Sequence, residues 1–309
     1  MDYKVKPEFI DERLDKFLVK KFPNLSRAQI QKAITDGHVL VNNQKPSKHR
    51  FLKADDLVNI DFNAEELEKK SPAALQPNAD IKLNILFEDE NYIIVNKPAN
   101  QIVHPAEHYK NNDTLAHGLL AHFPGIALVG EDKTRPGIVH RLDKEVSGVL
   151  AVPKTQEAFL HLKKQFQDRS IYKEYIALVY GKMPQNHDYI TFNIERSKTR
   201  GHKMAAKPDN SGKEAVTEYE VTKEYALYSL LKVIIHTGRT HQIRVHLNAL
   251  SHPIIGDELY CPKNLKNKAK INRIFLHAHI LKFKNMQGEE LSFKAALPDD
   301  LKVFLEKIK

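Results

Sequence analysis

The chain has 309 residues with 48 Lys+Arg against 39 Asp+Glu, a formal net charge of +9 and a pI near 9.3. That length holds one large domain plus a small one, and the charge favours an anionic partner, although a basic surface without a polyanion ligand gives the same count. A single cysteine, Cys261, excludes an intrachain disulfide, and with neither an apolar leader in Met1–Pro7 nor a window near the roughly 18 apolar residues of a membrane span, a cytoplasmic location is expected.

Residues 1–62 read as a small domain. Leu14, Phe17, Leu18 and Phe22 follow helical spacing. Ser26 with Gln29 has the form of a capping box before a second helix carrying Ile30, Ala33 and Ile34, and Asp36-Gly37 stops it. Val39–Val41 and Leu57–Ile60 read as strands. Residues 63–80, rich in Glu, Lys, Ala, Pro and Asn, read as a linker.

Residues 81–309 form the larger domain. Strands are expected at Ile85–Phe87, Tyr92–Val95, Gly137–Val139, Val149–Val152, Tyr172–Tyr180, Leu227–Ile235, Phe275–Phe283 and Leu291–Ala295. Thr155, Thr240 and Asp299 are the expected caps of helices carrying Phe159 and Leu162, Ile243 and Leu247, and Leu301 and Phe304. Strands and helices mix without a regular βαβ alternation, so the class is α+β.

The segment Gly137-Ile138-Val139-His140-Arg141-Leu142-Asp143-Lys144-Glu145-Val146-Ser147-Gly148 puts one carboxylate in a polar turn between apolar runs. A rigidly held carboxylate that still reaches a substrate suits nucleophilic catalysis. The segment resembles the His-Arg-Leu-Asp-x-x-Thr-Ser-Gly motif of the RluA-type pseudouridine synthases, which isomerise uridine in structured RNA. Val146 stands where that family usually has Thr, at the cost of a local hydrogen bond. Asn96-Lys97-Pro98-Ala99, with Asn100 at a usual Gly, resembles the family's first motif. Tyr172-Lys173-Glu174-Tyr175 and Thr237–His246 resemble two further signatures. The resemblance implies a mainly antiparallel catalytic sheet, Asp143 as nucleophile, Tyr175 lining the site and Arg244 paired with Asp143. A guanidinium suits that pairing because it keeps its charge at working pH and lowers a neighbouring carboxylate's pKa.

Residues Glu12–Leu18, Leu25–Ile34 and Gly37–Asn42 resemble the S4 RNA-binding domain, with Ala54-Asp55 replacing a usual Pro-Gly. Arg27 and Lys32 lie on the helix that S4 domains turn toward RNA, with Lys45, Lys48, Arg50 and Lys53 nearby. Arg196, Arg200 and Lys203 fall in a basic segment similar to the family's RNA-gripping loop, and Arg239 is a candidate for phosphate contact. The resemblance to the synthase family implies that Arg141 helps hold the RNA open, the alternative being a salt bridge within the turn; in a strand it would share a face with Asp143.

The implied partner is RNA, 23S ribosomal RNA or a ribosome assembly intermediate first and transfer RNA second, and the protein is expected to be a monomer. No redox cofactor or ATP is expected, and no metal: His236, His241 and His246 recur every five residues, which is not a zinc spacing. Two other readings are a non-catalytic S4-type RNA-binding protein and an N-glycosidic hydrolase with Glu145 as second carboxylate.

Overall fold

The computed structural model describes the chain except residues 26, 48, 70–74, 106–110, 198–200, 202, 210, 266–268 and 309, and the side chains of 28, 68 and 69. The expected cap Ser26 and the basic residues Lys48 and Arg200 therefore lie outside the described residues. Two compact units emerge, Met1–Ala74 and Leu75–Lys309.

In the first unit, β1 (Asp2–Lys4), β2 (Val39–Val41) and β3 (Leu57–Ile60) form an antiparallel sheet in the order β1-β3-β2. Helices α1 (Leu14–Lys21) and α2 (Arg27–Asp36) bury Leu14, Phe17, Leu18, Ile30 and Ile34 against Val39, Val41 and Val58. The stop after Asp36 is a Schellman closure: Gly37 has φ +91°, its N–H donates to Ile34 O, and His38 N–H donates to Ala33 O. Asp55 itself takes a left-handed φ of 62°, so the turn before β3 survives without the usual glycine. Within 63–80, a short helix α3 (Ala64–Lys69) packs on this unit, while Leu75 is buried in the core of the second.

The second unit is α+β, with one nine-stranded sheet. Its strands are β4 (Ile85–Glu88), β5 (Tyr92–Lys97), β6 (Ser147–Pro153), β7 (Tyr172–Tyr180), β8 (His187–Ile190), β11 (Thr217–Glu224), β12 (Tyr228–Ile235), β13 (Leu276–Lys284) and β14 (Glu290–Lys294). A separate hairpin pairs β9 (Asn193–Arg196) with β10 (Met204–Lys207). The sheet order is β4-β5-β6-β13-β7-β12-β11-β8, with β14 also on β13. Every pairing is antiparallel except β6 with β13, which runs parallel through His277↔Ser147 and Ala278↔Gly148. Gly148, at φ +126°, is required there, since a Cβ would sit 2.1 Å from Ala278 O. Helices α4 (Leu115–His122), α5 (Gln156–Gln167), α6 (Gln242–Ala249) and α7 (Asp299–Lys307) complete the unit. Among the described residues, no helix is long and apolar enough to cross a membrane.

Four local expectations change. Gly137–Val139 is loop rather than strand, because its turn residues follow Pro136 and Gly137 takes a positive φ. Arg141 and Asp143 also lie in loop, so the shared strand face does not exist. The cap of α6 is His241 rather than Thr240, and Pro298 rather than Asp299 precedes α7; Asp299 is its first residue. By contrast Thr155 caps α5, its side chain accepting Ala158 N–H at 3.1 Å.

Candidate active site

The turn carrying Asp143 is pinned from several sides. Leu142 and Val146 point into the core, and Val146 N–H closes the turn on Asp143 O at 3.2 Å. An aliphatic side chain is therefore well housed where the motif usually has Thr. His140 stacks on Phe166 and its Nε2 accepts Ala151 N–H at 3.0 Å. Burial and the charge of Lys173 push His140 down to about 3, which keeps it a neutral acceptor. Lys97, fully buried, donates to Pro98 O at 2.8 Å, Gln101 O at 2.9 Å and Lys144 O at 3.2 Å. It thereby ties the Asn96–Gln101 turn, where Asn100 has φ 64°, to the residue after Asp143. At the far end, Ser147 Oγ meets His277 Nδ1 at 2.8 Å and accepts from Arg273 Nη2 at 2.6 Å.

Arg244, from α6, is buried with 3% of its side chain exposed, yet it serves three carboxylates. Asp257 grips it in bidentate fashion, with Nε to Oδ2 at 2.8 Å and Nη2 to Oδ1 at 2.9 Å. That leaves Nη1, which stands 3.4 Å from both Asp143 Oδ2 and Glu145 Oε2. Asp257 Oδ1 also accepts the N–H groups of Leu259 and Tyr260, so the anchor is itself fixed. Tyr260 places its ring 5.3 Å from the guanidinium carbon. His241 Nε2 is 3.9 Å from Asp143 Oδ2. Tyr175, on β7, is buried, and burial plus the charge of Asp143 hold its phenol protonated by raising its pKa. The result is a carboxylate 17% exposed, kept beside a desolvated cation. Such a group can attack an electrophilic carbon presented from solvent.

The structure pairs Arg244 with Asp143 at 3.4 Å, and the Asp143 charge acts on the buried Tyr175 phenol. Glu145 and His241, also named in the sequence, join this cluster at Arg244 and Asp143. Arg141 is exposed and forms no ion pair among the described residues. Arg196 is exposed at the end of β9. Lys203 turns inward, donating to Leu259 O, and Arg239 Nε donates to Glu214 O at 2.8 Å. In the first unit, Lys32 is exposed, while Arg27 bonds Asp15. Arg50 is held by Asp56. Among the described residues no group of three or more His, Cys, Asp or Glu could hold a metal ion.

The fold agrees with comparisons to known proteins. Residues 91–249 match the RNA pseudouridylate synthase family and residues 12–58 match the S4 domain. An RNA pseudouridine synthase of Chlorobaculum parvum is 38% identical, with 96% of this chain and 94% of that protein aligned. The ribosomal large subunit pseudouridine synthase D of Escherichia coli is 36% identical over 96% of this chain and 90% of its own length. Among solved structures, human RNA pseudouridylate synthase domain containing 1 aligns with a TM-score of 0.60 and 27% identity, covering 74% of this chain and 90% of that one. The chain belongs to the RNA pseudouridylate synthase family and carries an S4 domain, both of which indicate RNA binding.

Lys97, Asp257, Tyr260 and His241 escaped the sequence reading as parts of one site. Lys97 and His241 sit inside recognised motifs, but a buried lysine and a strained cap leave no periodic trace. The signal for Asp257 was faint: one of two adjacent acids, Asp257-Glu258, after the apolar run Pro253-Ile254-Ile255-Gly256.

Proposed function

We propose that this protein converts uridine to pseudouridine in structured large-subunit ribosomal RNA, 23S rRNA, with Asp143 as nucleophile. The observation carrying this reading is the Asp143–Arg244 pair, with Nη1 at 3.4 Å while Asp257 occupies the rest of the guanidinium. The full-length likeness to a ribosomal large subunit pseudouridine synthase supports the choice of RNA. The target nucleotide leaves its stack to reach the carboxylate. Asp143 attacks the ribose anomeric carbon, the N1–C1′ bond breaks, and uracil departs carrying the electron pair on N1. The base turns, carbon 5 bonds to C1′, and the carboxylate is expelled. One proton leaves carbon 5 and one joins N1, so no oxidant or second substrate is consumed. Tyr175 packs against the base. It takes the carbon-5 proton only as its own phenolic proton departs, because burial and Asp143 keep that hydroxyl protonated.

Asp143→Asn tests the role: RNA binding stays intact while pseudouridine formation falls by at least about a thousandfold. Retained formation removes Asp143 from the chemistry. Mapping pseudouridines in cells lacking the protein tests the substrate. A site missing from 23S rRNA, restored by the intact protein and not by Asp143→Asn, is the expected outcome; a site missing only from transfer RNA reassigns it.

A further inference from the structure

We propose that His241 is a positioning residue for Asp143, set in its Nε2–H tautomer by Tyr260, and that this pair transmits the seating of the β9–β10 hairpin to the nucleophile. The inference rests on Asp143 being that nucleophile.

His241 has φ 56° and ψ 21°, the left-handed region that non-glycine residues rarely occupy. It stands at the N-cap of α6, but its side chain makes no capping hydrogen bond. The strain instead serves two contacts of the ring: Nδ1 lies 2.8 Å from the Tyr260 hydroxyl, and Nε2 faces Asp143 Oδ2 at 3.9 Å. Tyr260 is the group we assign to set the tautomer. Its oxygen accepts the Met204 N–H at 2.9 Å, which leaves its own proton to donate to Nδ1. A neutral ring that accepts at Nδ1 carries its hydrogen on Nε2, directed at the carboxylate. Burial and the Arg244 charge lower the pKa of His241, while Asp143 and Glu145 oppose them. At this separation the N–H orients the carboxylate electrostatically without taking up its lone pair.

The same tyrosine is the seat of the hairpin. Met204 and Ala206 of β10 and Ile194 of β9 pack in one apolar cluster with Val245, Leu259 and Tyr260. Lys203 donates to Leu259 O, and its ammonium lies 5.9 Å from the Tyr260 ring centre. Asp257 holds the Leu259 and Tyr260 amides from below. A shift of Lys203 and Met204 therefore changes the Tyr260 hydroxyl and the proton on His241 before it reaches Arg244. Arg196, exposed at the end of β9, puts a cation on the hairpin where RNA can pull on it.

The first test uses the unmodified protein. Its His241 ¹⁵N resonances are expected to show the Nε2–H tautomer; the Nδ1–H tautomer overturns the proposal. Tyr260→Phe is then expected to mix the tautomers and slow single-turnover conversion about tenfold, with RNA affinity within about twofold of the parent. His241→Asn, whose replacement tolerates a left-handed backbone, is expected to give the same split and serves if Tyr260→Phe does not fold. A single-turnover rate within about twofold of the parent in either folded variant overturns it. Asp143→Asn separates the two failures. If it is inactive while the Tyr260 and His241 variants are unaffected, only this inference falls; if it is active, the nucleophile reading falls and takes this one with it.

Discussion

Two arginine–carboxylate clusters, one in each unit, are built with opposite polarity. In the first unit the acid is inside: Asp15 is fully buried and binds Arg13, Arg27 and Gln31, while the Arg27 side chain remains 48% exposed. In the second unit the base is inside: Arg244 is 3% exposed, anchored by buried Asp257, and the more exposed partners are Asp143 and Glu145. The buried member is fixed by geometry and the outer member is displayed. The first cluster displays positive charge, which suits phosphate; the second displays a carboxylate, which suits attack on carbon. One kind of ion pair thus displays a cation or a carboxylate according to which partner is desolvated.

Removing the inner anchor of the second cluster is the severest way to break this contrast. Asp257→Asn leaves a buried guanidinium without its bidentate partner and frees it to turn toward Asp143 and Glu145. Stability is expected to fall by about 3 kcal/mol in urea denaturation, and single-turnover conversion by at least about a hundredfold. Unchanged conversion would show that Asp143 does not depend on the way Arg244 is held.

Acid separates the two units by a comparable change in stability, without the loss of conversion. His277, fully buried between Ser147 and Ala295 O, is pushed down to about 4 by burial. Its folded pKa lies below the ordinary 6.5, so the unfolded chain binds more protons between those values. Its contribution is present above pH 6.5 and is lost as pH falls through about 4, a change of roughly 3 kcal/mol. His117 and His246, also buried, are lowered by burial and act in the same direction. In the first unit both histidines, His38 and His49, are exposed. Burial pushes Asp15 up, but hydrogen bonds from Gln31, Arg13 and Arg27 outweigh it and hold the carboxyl below its ordinary 3.8. That contribution survives until the pH drops below the carboxylate range. Hydrogen exchange followed from pH 7 to pH 4 is therefore expected to lose protection around β6 and β13 before it does around α1 and α2. Simultaneous loss would contradict the contrast.

What the sequence disclosed follows the range of the interactions. Helix α5 was legible because its cap and apolar stripe are local, and β7 because Tyr172–Tyr180 is rich in β-formers and ends at Gly181. Helix α4 was missed: Leu115–His122 is mostly buried, so it lacks a polar face to reveal its period, and its capping box uses His117 in place of Glu. The short strands β8, β9 and β10 carry polar residues at edges and in a hairpin, where pairing rather than burial defines them. Strand β11 did carry a signal, since Thr217 and Tyr219 point inward at a period of two, but its charged residues obscured it. At the candidate site, Asp143, Tyr175 and Arg244 were named through motif resemblance. Asp257 and Tyr260 act only because tertiary packing carries a separate loop to the end of α6, and nothing local encodes that.

The least of the expected effects is also the one whose sign discriminates. Asp15→Asn removes one negative charge from a chain of formal charge +9. If net charge governed RNA affinity, the substitution would tighten binding, because Arg13 and Arg27 would be released and the field strengthened. The buried-acid arrangement argues the reverse. Asp15 fixes both guanidiniums in place, and without it each must be ordered at the moment of contact, at a cost in side-chain entropy. RNA affinity is accordingly expected to weaken by about three- to tenfold at constant salt, with the salt slope little changed because the same cations remain available. Conversion of RNA already bound should be unaffected, since the proposed nucleophile belongs to the other cluster. Tighter binding would mean that Asp15 merely masks the arginines, and the display of positive charge in the first unit would then be incidental to its packing.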